Sequence, residues 1–182
     1  MNTSPLSKPK QRGITLIEAC MVLAISTVLA TSAAPGMQDL IAARRLENAA
    51  SQLVTDIQWT RTAAVVRNQA LRLSFHAHSS GGSCYVIHTG AADQCECSAA
   101  GPAVCTAGAR EIRTVVVSAA DQTTLIANVN SVLFDPMHGT STPTGTLRML
   151  GAGGREVRHV INVMGRVRSC SPAPSVPGYR AC

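Results

Sequence analysis

Glu18 is the only charge between Ile14 and Met37, a run of 24 residues that is otherwise uncharged and mostly apolar. A carboxylate inside a membrane costs about 3 kcal/mol, so it needs a neutralising partner. Cleavage between Gly13 and Ile14 would supply one, a new α-amine four residues before Glu18. On one helix the two groups lie about a turn apart, and in staggered neighbouring chains they can meet directly. The alternative is an acid at the membrane interface, near a helix start whose dipole favours it.

A second chemistry lies in the arginines. From Met137 onward there are six (Arg148, Arg155, Arg158, Arg166, Arg168 and Arg180) against the single acid Glu156. The planar guanidinium binds phosphate oxygens in pairs and keeps its charge at any relevant pH. Arg166 and Arg168 flank Val167 and share a face if they lie on a strand. Gly165 before them permits a tight turn or the close approach of a phosphate to the backbone. Arg148, Arg155, Arg158 and Arg180 are supporting candidates by charge and proximity in sequence. Against this stands an arginine-rich solvated face, paired with Glu156 or with neighbouring subunits.

The third group is cysteine. Cys20 lies in the apolar run, and Cys84, Cys95, Cys97, Cys105, Cys170 and Cys182 follow. An even number in a domain outside the cytoplasm points to disulfides. Cys170 with Cys182 is the preferred pair, because the turn-rich SPAPSVPGYRA between them would otherwise fray. The other four would pin the loop 83–106 in two bridges whose pairing the sequence leaves open. A zinc site on Cys95-x-Cys97 with Cys84, Cys105 or His88 is the competing account, but its spacing is unusual and it needs reduced thiols. The five histidines are scattered, and the sequence holds no phosphate loop, nucleophile elbow or zinc-protease motif. Neither an enzyme nor a cofactor is expected.

These groups must be positioned by a chain of 182 residues, enough for one ordinary domain with an appendage. Hydrophobic residues at 46% exclude a largely disordered chain, and aromatics at 3% exclude a base-stacking platform. The 24-residue run would be roughly 36 Å long as a helix, enough to cross a hydrocarbon core of about 30 Å. Lys8, Lys10 and Arg12 before it keep the amino end cytoplasmic. Beyond Pro35, Leu46, Ala50, Leu53, Ile57 and Ala64 mark one helical face. One helix is therefore expected from about Thr15 to Asn68, kinked at Pro35. Arg44, Arg45, Glu47, Asp56, Arg61 and Arg67 fall largely elsewhere and read as solvated. Strands are expected at 71–76, 84–88, 113–118, 129–134, 146–150 and 156–164, with connections at 79–83, 91–108 and 136–145. The fold class is α+β: a long amino-terminal helix packed on a mainly antiparallel β head.

Gly13-Ile14-Thr15-Leu16-Ile17-Glu18, after a basic leader and before a long apolar helix, resembles the class III signal of type IV pilins and pseudopilins. The resemblance implies a leader over 1–13, removed by a prepilin peptidase that methylates Ile14. It implies a membrane and assembly segment over 14–37 in the bacterial inner membrane, and a periplasmic head over 38–182. Glu18 would then pair with a neighbouring subunit's terminal amine, and other pilins would be the partners. Trp59-Thr60-Arg61 through Arg67-Asn68-Gln69, Val132 to Pro136 before Gly139, and Gly165-Arg166-Val167-Arg168 resemble the GspH/FimT branch. In FimT-like minor pilins a Gly-Arg-x-Arg element binds double-stranded DNA during natural transformation, which makes Arg166 and Arg168 the leading DNA contacts. A priming minor pilin without DNA binding, or a minor pseudopilin of type II secretion, are the alternatives.

Overall fold

The computed structural model describes residues 13, 15–78, 81–98, 101–173 and 176–182, with the side chains of 33–35 left aside. The leader 1–12 and Ile14 thus lie outside the described residues. The chain divides into two compact units, Met1–Gln38 and Asp39–Cys182. A single helix, α1 (Leu16–Val66), contributes to both and runs through Pro35.

In the first unit every apolar side chain described on the helix is exposed, from Leu16 to Met37. An all-round apolar surface finds no solvent match in water but does in lipid. Three hydroxyls on this stretch are satisfied internally: Thr27 and Thr31 donate to the Leu23 and Thr27 carbonyls, and Ser32 to that of Leu29. Such back-bonding hides polar groups from an apolar surrounding.

In the second unit the helix becomes amphipathic. Leu46, Ala50, Leu53, Ile57 and Ala64 are all fully buried. The helix ends where Asn68 takes a left-handed conformation (φ 47°) and the Gln69 N–H returns to the Ala64 carbonyl. Among the described residues eleven strands follow: β1 (Leu71–Ala77), β2 (Gly82–His88), β3 (Cys95–Ser98), β4 (Gly101–Cys105), β5 (Glu111–Ser118), β6 (Thr124–Ala127), β7 (Ser131–Phe134), β8 (Ser141–Thr142), β9 (Gly145–Leu150), β10 (Glu156–Ile161) and β11 (Val167–Cys170). One sheet has the order β5-β2-β1-β7-β8, a second β11-β10-β9-β6, and β3–β4 form a separate hairpin. The pairings are antiparallel throughout.

Both sheets turn an apolar face to the helix. Leu71, Leu73, Tyr85, Ile87, Val132 and Phe134 come from the first, and Leu147, Met149, Val157 and Ile161 from the second. The alternation is visible in β9, whose Gly145, Leu147 and Met149 are buried and whose Thr146, Arg148 and Leu150 are not. The structure departs from the sequence reading at β3, β4 and β8, which occupy segments read as connections, and at β6, which was not anticipated; the strand left open around Arg168 is β11, which starts at Val167 and leaves Arg166 in the turn. The strand read as 156–164 ends at Ile161, where the chain turns.

Asp56 also departs from expectation. It is fully buried, not solvated. It accepts from Tyr85 Oη at 2.7 Å, Gln52 Nε2 at 3.0 Å and Arg113 Nη1 at 2.8 Å, so the buried charge is paired and hydrogen-bonded. This carboxylate ties α1 to β2 and β5. Burial, with the Asp56 hydrogen bond and charge, pushes the Tyr85 hydroxyl well above the usual tyrosine range.

Candidate functional site

The Gly-Arg-x-Arg stretch lies at the β10–β11 hairpin. The Gly165 N–H donates to the Asn162 carbonyl at 2.8 Å, and the Asn162 N–H to the Arg166 carbonyl at 3.1 Å. Gly165 has φ +69°, and a Cβ there would stand 2.5 Å from the Gly139 carbonyl oxygen. A three-residue loop closing on a left-handed glycine is a standard way to join two strands. Gly165 is buried and its amide is already used, so its part is to shape the turn, not to cradle a phosphate.

Arg166 and Arg168 are exposed, and neither enters an ion pair among the described residues. Arg168 pairs with Val160 on the neighbouring strand, and Arg158 pairs with Arg148. The face of β10 opposite the buried Val157, His159 and Ile161 therefore carries Glu156, Arg158 and Val160, with Arg148 and Arg168 beside them.

The four supporting arginines behave differently. Arg148 grips Glu156 with two parallel bonds of 2.8 Å, and Arg158 adds a third at 2.5 Å. One carboxylate thus half-neutralises two guanidinium groups. Those hydrogen bonds, led by Arg148, hold the Glu156 carboxyl down at about 2 despite its burial. Arg155 is largely covered and faces Asp39 at 3.8 Å. Arg180 is exposed, and its carbonyl accepts from the Ser171 N–H at 2.8 Å. Charge alone did not separate these arginines in the sequence; their pairing does.

An arginine read as solvated also belongs here. Arg61, on the last turns of α1, donates from Nε to the Gly139 carbonyl at 2.9 Å. Asp135 sets the turn that presents Gly139, its carboxylate accepting from the Met137 and His138 N–H groups at 3.0 and 2.9 Å. Those amides, His138 first, hold the Asp135 carboxyl below its ordinary range. Gln58, Arg61 and Thr62 line a groove of about 400 Å³ with Gly165, Arg166 and Val167.

At the amino end Gly13 is exposed, while Ile14, its partner in the expected cleavage, lies outside the described residues. The Glu18 N–H donates to Thr15 Oγ1 at 3.4 Å. Thr15 and Glu18 have the Thr-x-x-Glu spacing of a helix-capping pair, a local role that the sequence reading did not consider. Glu18 is exposed.

All six head cysteines are bonded: Cys84–Cys97, Cys95–Cys105 and Cys170–Cys182. Their sulfurs are not available to zinc, and no metal-ligating cluster occurs among the described residues. The first two bridges hold the β3–β4 hairpin closed and fasten it to β2. The third closes the tail on β11, where Ser171 bridges to Ala181 and Val176 enters the core. Cys20 is free and exposed. His88 Nδ1 donates to the Thr89 carbonyl at 2.9 Å, leaving Nε2 to accept from Ser74 Oγ at 2.8 Å. Both side chains are fully buried, so this pair offers no reachable nucleophile.

The family described as Type II transport protein GspH matches residues 49–165, from the amphipathic half of α1 to the β10–β11 turn. Among solved structures, the type IV minor pilin FimU of Pseudomonas aeruginosa (strain PAO1) is similar in two crystal forms. One is 21% identical over 75% of this chain and 95% of that chain, with a TM-score of 0.51. The other is 20% identical over 73% and 98%, with a TM-score of 0.48. At such identity the first likeness speaks for the fold alone. No curated protein matches.

Proposed function

The chain belongs to the GspH family of pilin-like minor pilins and pseudopilins, and from that premise we propose that it is a type IV minor pilin that captures double-stranded DNA on its head. The carrying observation is the state of the arginines: Arg166 and Arg168 stand exposed and, among the described residues, without an acid, whereas Arg148 and Arg158 share Glu156. Two free guanidinium groups on a hairpin can each grip a phosphate and release its counterions. Binding of that kind is sequence-independent and weakens steeply with salt.

The first unit would serve delivery and assembly. Its apolar helix is long enough to cross a membrane by length and composition. Insertion with the amino end cytoplasmic puts the head in the periplasm, where the three disulfides persist. A prepilin peptidase would cut between Gly13 and Ile14. Glu18 would then balance the new terminal amine of a neighbouring pilin as the subunit leaves the inner membrane for the filament.

The match to the Type II transport protein GspH family favours a second reading, a minor pseudopilin in a type II secretion machine. DNA retention separates the two. Full-length processed protein in detergent micelles is titrated with duplex DNA over a range of salt. Retardation at low salt is expected, and Arg166→Ala/Arg168→Ala should lower the slope of log affinity against log salt by about 2. Equal retardation by wild type and double variant rejects the site. No retardation by wild type leaves the structural or secretion role.

A further inference from the structure

Three stretches far apart in sequence converge on one side chain. The Arg61 side chain passes between two glycines, one on the β7–β8 loop and one on the β10–β11 turn. A Cβ on Gly139 would meet Arg61 Nε at 3.2 Å, and one on Gly165 would meet Arg61 Cδ and Nε at 2.8 Å. Both glycines adopt positive φ, +63° and +69°. The slot exists because neither position has a side chain, and any other residue at 165 would evict the arginine.

Within the slot only Nε is used, in the bond to the Gly139 carbonyl. That bond fixes the plane of the guanidinium and leaves both Nη groups without a protein partner among the described residues. A clasp between helix and turn needs one donor, and a neutral amide would provide it. A full charge held in a fixed plane at the wall of a groove is more than a clasp requires. Arg166 lines the same groove, together with Gln58 and Thr62, and no acid lines it among the described residues.

We infer that Arg61 is a third cation of the DNA site, holding a backbone phosphodiester in the groove that it shares with Arg166. This rests on the DNA-binding reading above and extends it from the hairpin to the end of α1. The glycine of Gly-Arg-x-Arg then acts at one remove, by leaving room for an arginine from another element. Arg166 and Arg61 approach one phosphate within that groove, and Arg168 reaches the duplex from the sheet face.

The test uses the full chain in detergent micelles with a fluorescent DNA duplex as probe. Arg61→Gln removes the charge. Gln58→Glu leaves the Arg61–Gly139 bond untouched and puts an acid into the groove three residues from Arg61. Gln122→Glu makes the same charge change beside Asp121, which faces Arg45 about four helical turns from Arg61. Each of the first two should weaken low-salt binding by about tenfold, with Arg61→Gln lowering the salt slope by about 1, and Gln122→Glu should bind as wild type. Gln58→Glu binding as tightly as wild type overturns the inference while the hairpin site stands, even if Arg61→Gln is weakened through the fold. Equal loss with Gln122→Glu also overturns it, since the effect would be general charge. Failure of the wild type to bind DNA overturns both readings.

Discussion

Glu156 carries more of the head's electrostatics than its single charge suggests. Its side chain is buried, accepts three guanidinium hydrogen bonds and has its carboxyl lowered from 4.5 to about 2. A group depressed on folding contributes stability that is full above its unfolded value and is lost as pH falls through its folded value. His159 acts in the same direction higher up: burial lowers it from 6.5 to about 4, and its Nδ1 meets Ser169 Oγ at 2.8 Å. Melting temperature should therefore decline between about 6.5 and 4 through His159 and again between about 4.5 and 2 through Glu156. Glu156→Gln should flatten only the lower step, as thermal unfolding followed by circular dichroism at stepped pH would show. Asp56 predicts a loss on truncation. Asp56→Ala leaves the buried Tyr85 hydroxyl without its acceptor and frees the half-exposed Arg113 guanidinium to water, and at neutral pH it should cost about 2 kcal/mol in a denaturant titration. A value under about 1 kcal/mol would show the network to be incidental. Glu156 was legible in the sequence as a partner for the arginines around it, whereas Asp56 was not. Asp56 read as solvated because helical charges usually are, and its partners Tyr85 and Arg113 lie 29 and 57 residues away. Arg61 was hidden for the same reason, since its slot is built from glycines at 139 and 165.

At the scale of elements, legibility followed how strongly a segment's own residues favour one state. The helix face from Leu46 to Ala64 repeats at helical spacing and is buried in the structure as that spacing requires. Leu71, Leu73 and Phe75 alternate cleanly, and β1 results. By contrast β3 and β4 read Cys-Glu-Cys-Ser and Gly-Pro-Ala-Val-Cys, with little β preference of their own. Two disulfides hold that hairpin, and covalent closure leaves no trace in periodicity. β11 is similar: an edge strand of Val-Arg-Ser-Cys whose far end is held by the Cys170–Cys182 bridge and the buried Val176. Closing a loop of that length contributes about 3 kcal/mol on the chain-entropy model. Cys170→Ser/Cys182→Ser should lower head stability by about that much and open the tail to proteases. Limited proteolysis with mass mapping should find the first cuts after residue 170. Unchanged cutting would show that packing of Val176 and Tyr179 holds the tail without the bridge.

For the whole molecule, the two units answer different needs. The first presents apolar side chains on all sides and turns the hydroxyls of Thr27, Thr31 and Ser32 onto its own backbone. The second folds an antiparallel head around the amphipathic half of α1 and places Arg166 and Arg168, unpaired among the described residues, at one hairpin. An apolar helix followed by a β head was legible from hydropathy and from strand alternation, because both are bulk patterns of the chain itself. The Gly-Arg-x-Arg stretch was visible in the sequence, but the separation of its arginines from those held by Glu156 needed the fold. The account rests on the first unit being a processed assembly helix whose Glu18 is balanced by a terminal amine. The direct measurement is intact-mass and amino-terminal peptide analysis of the protein purified from cells with an active prepilin peptidase. The account predicts a chain that begins at Ile14 and carries one added methyl group. A chain that still begins at Met1 would contradict it.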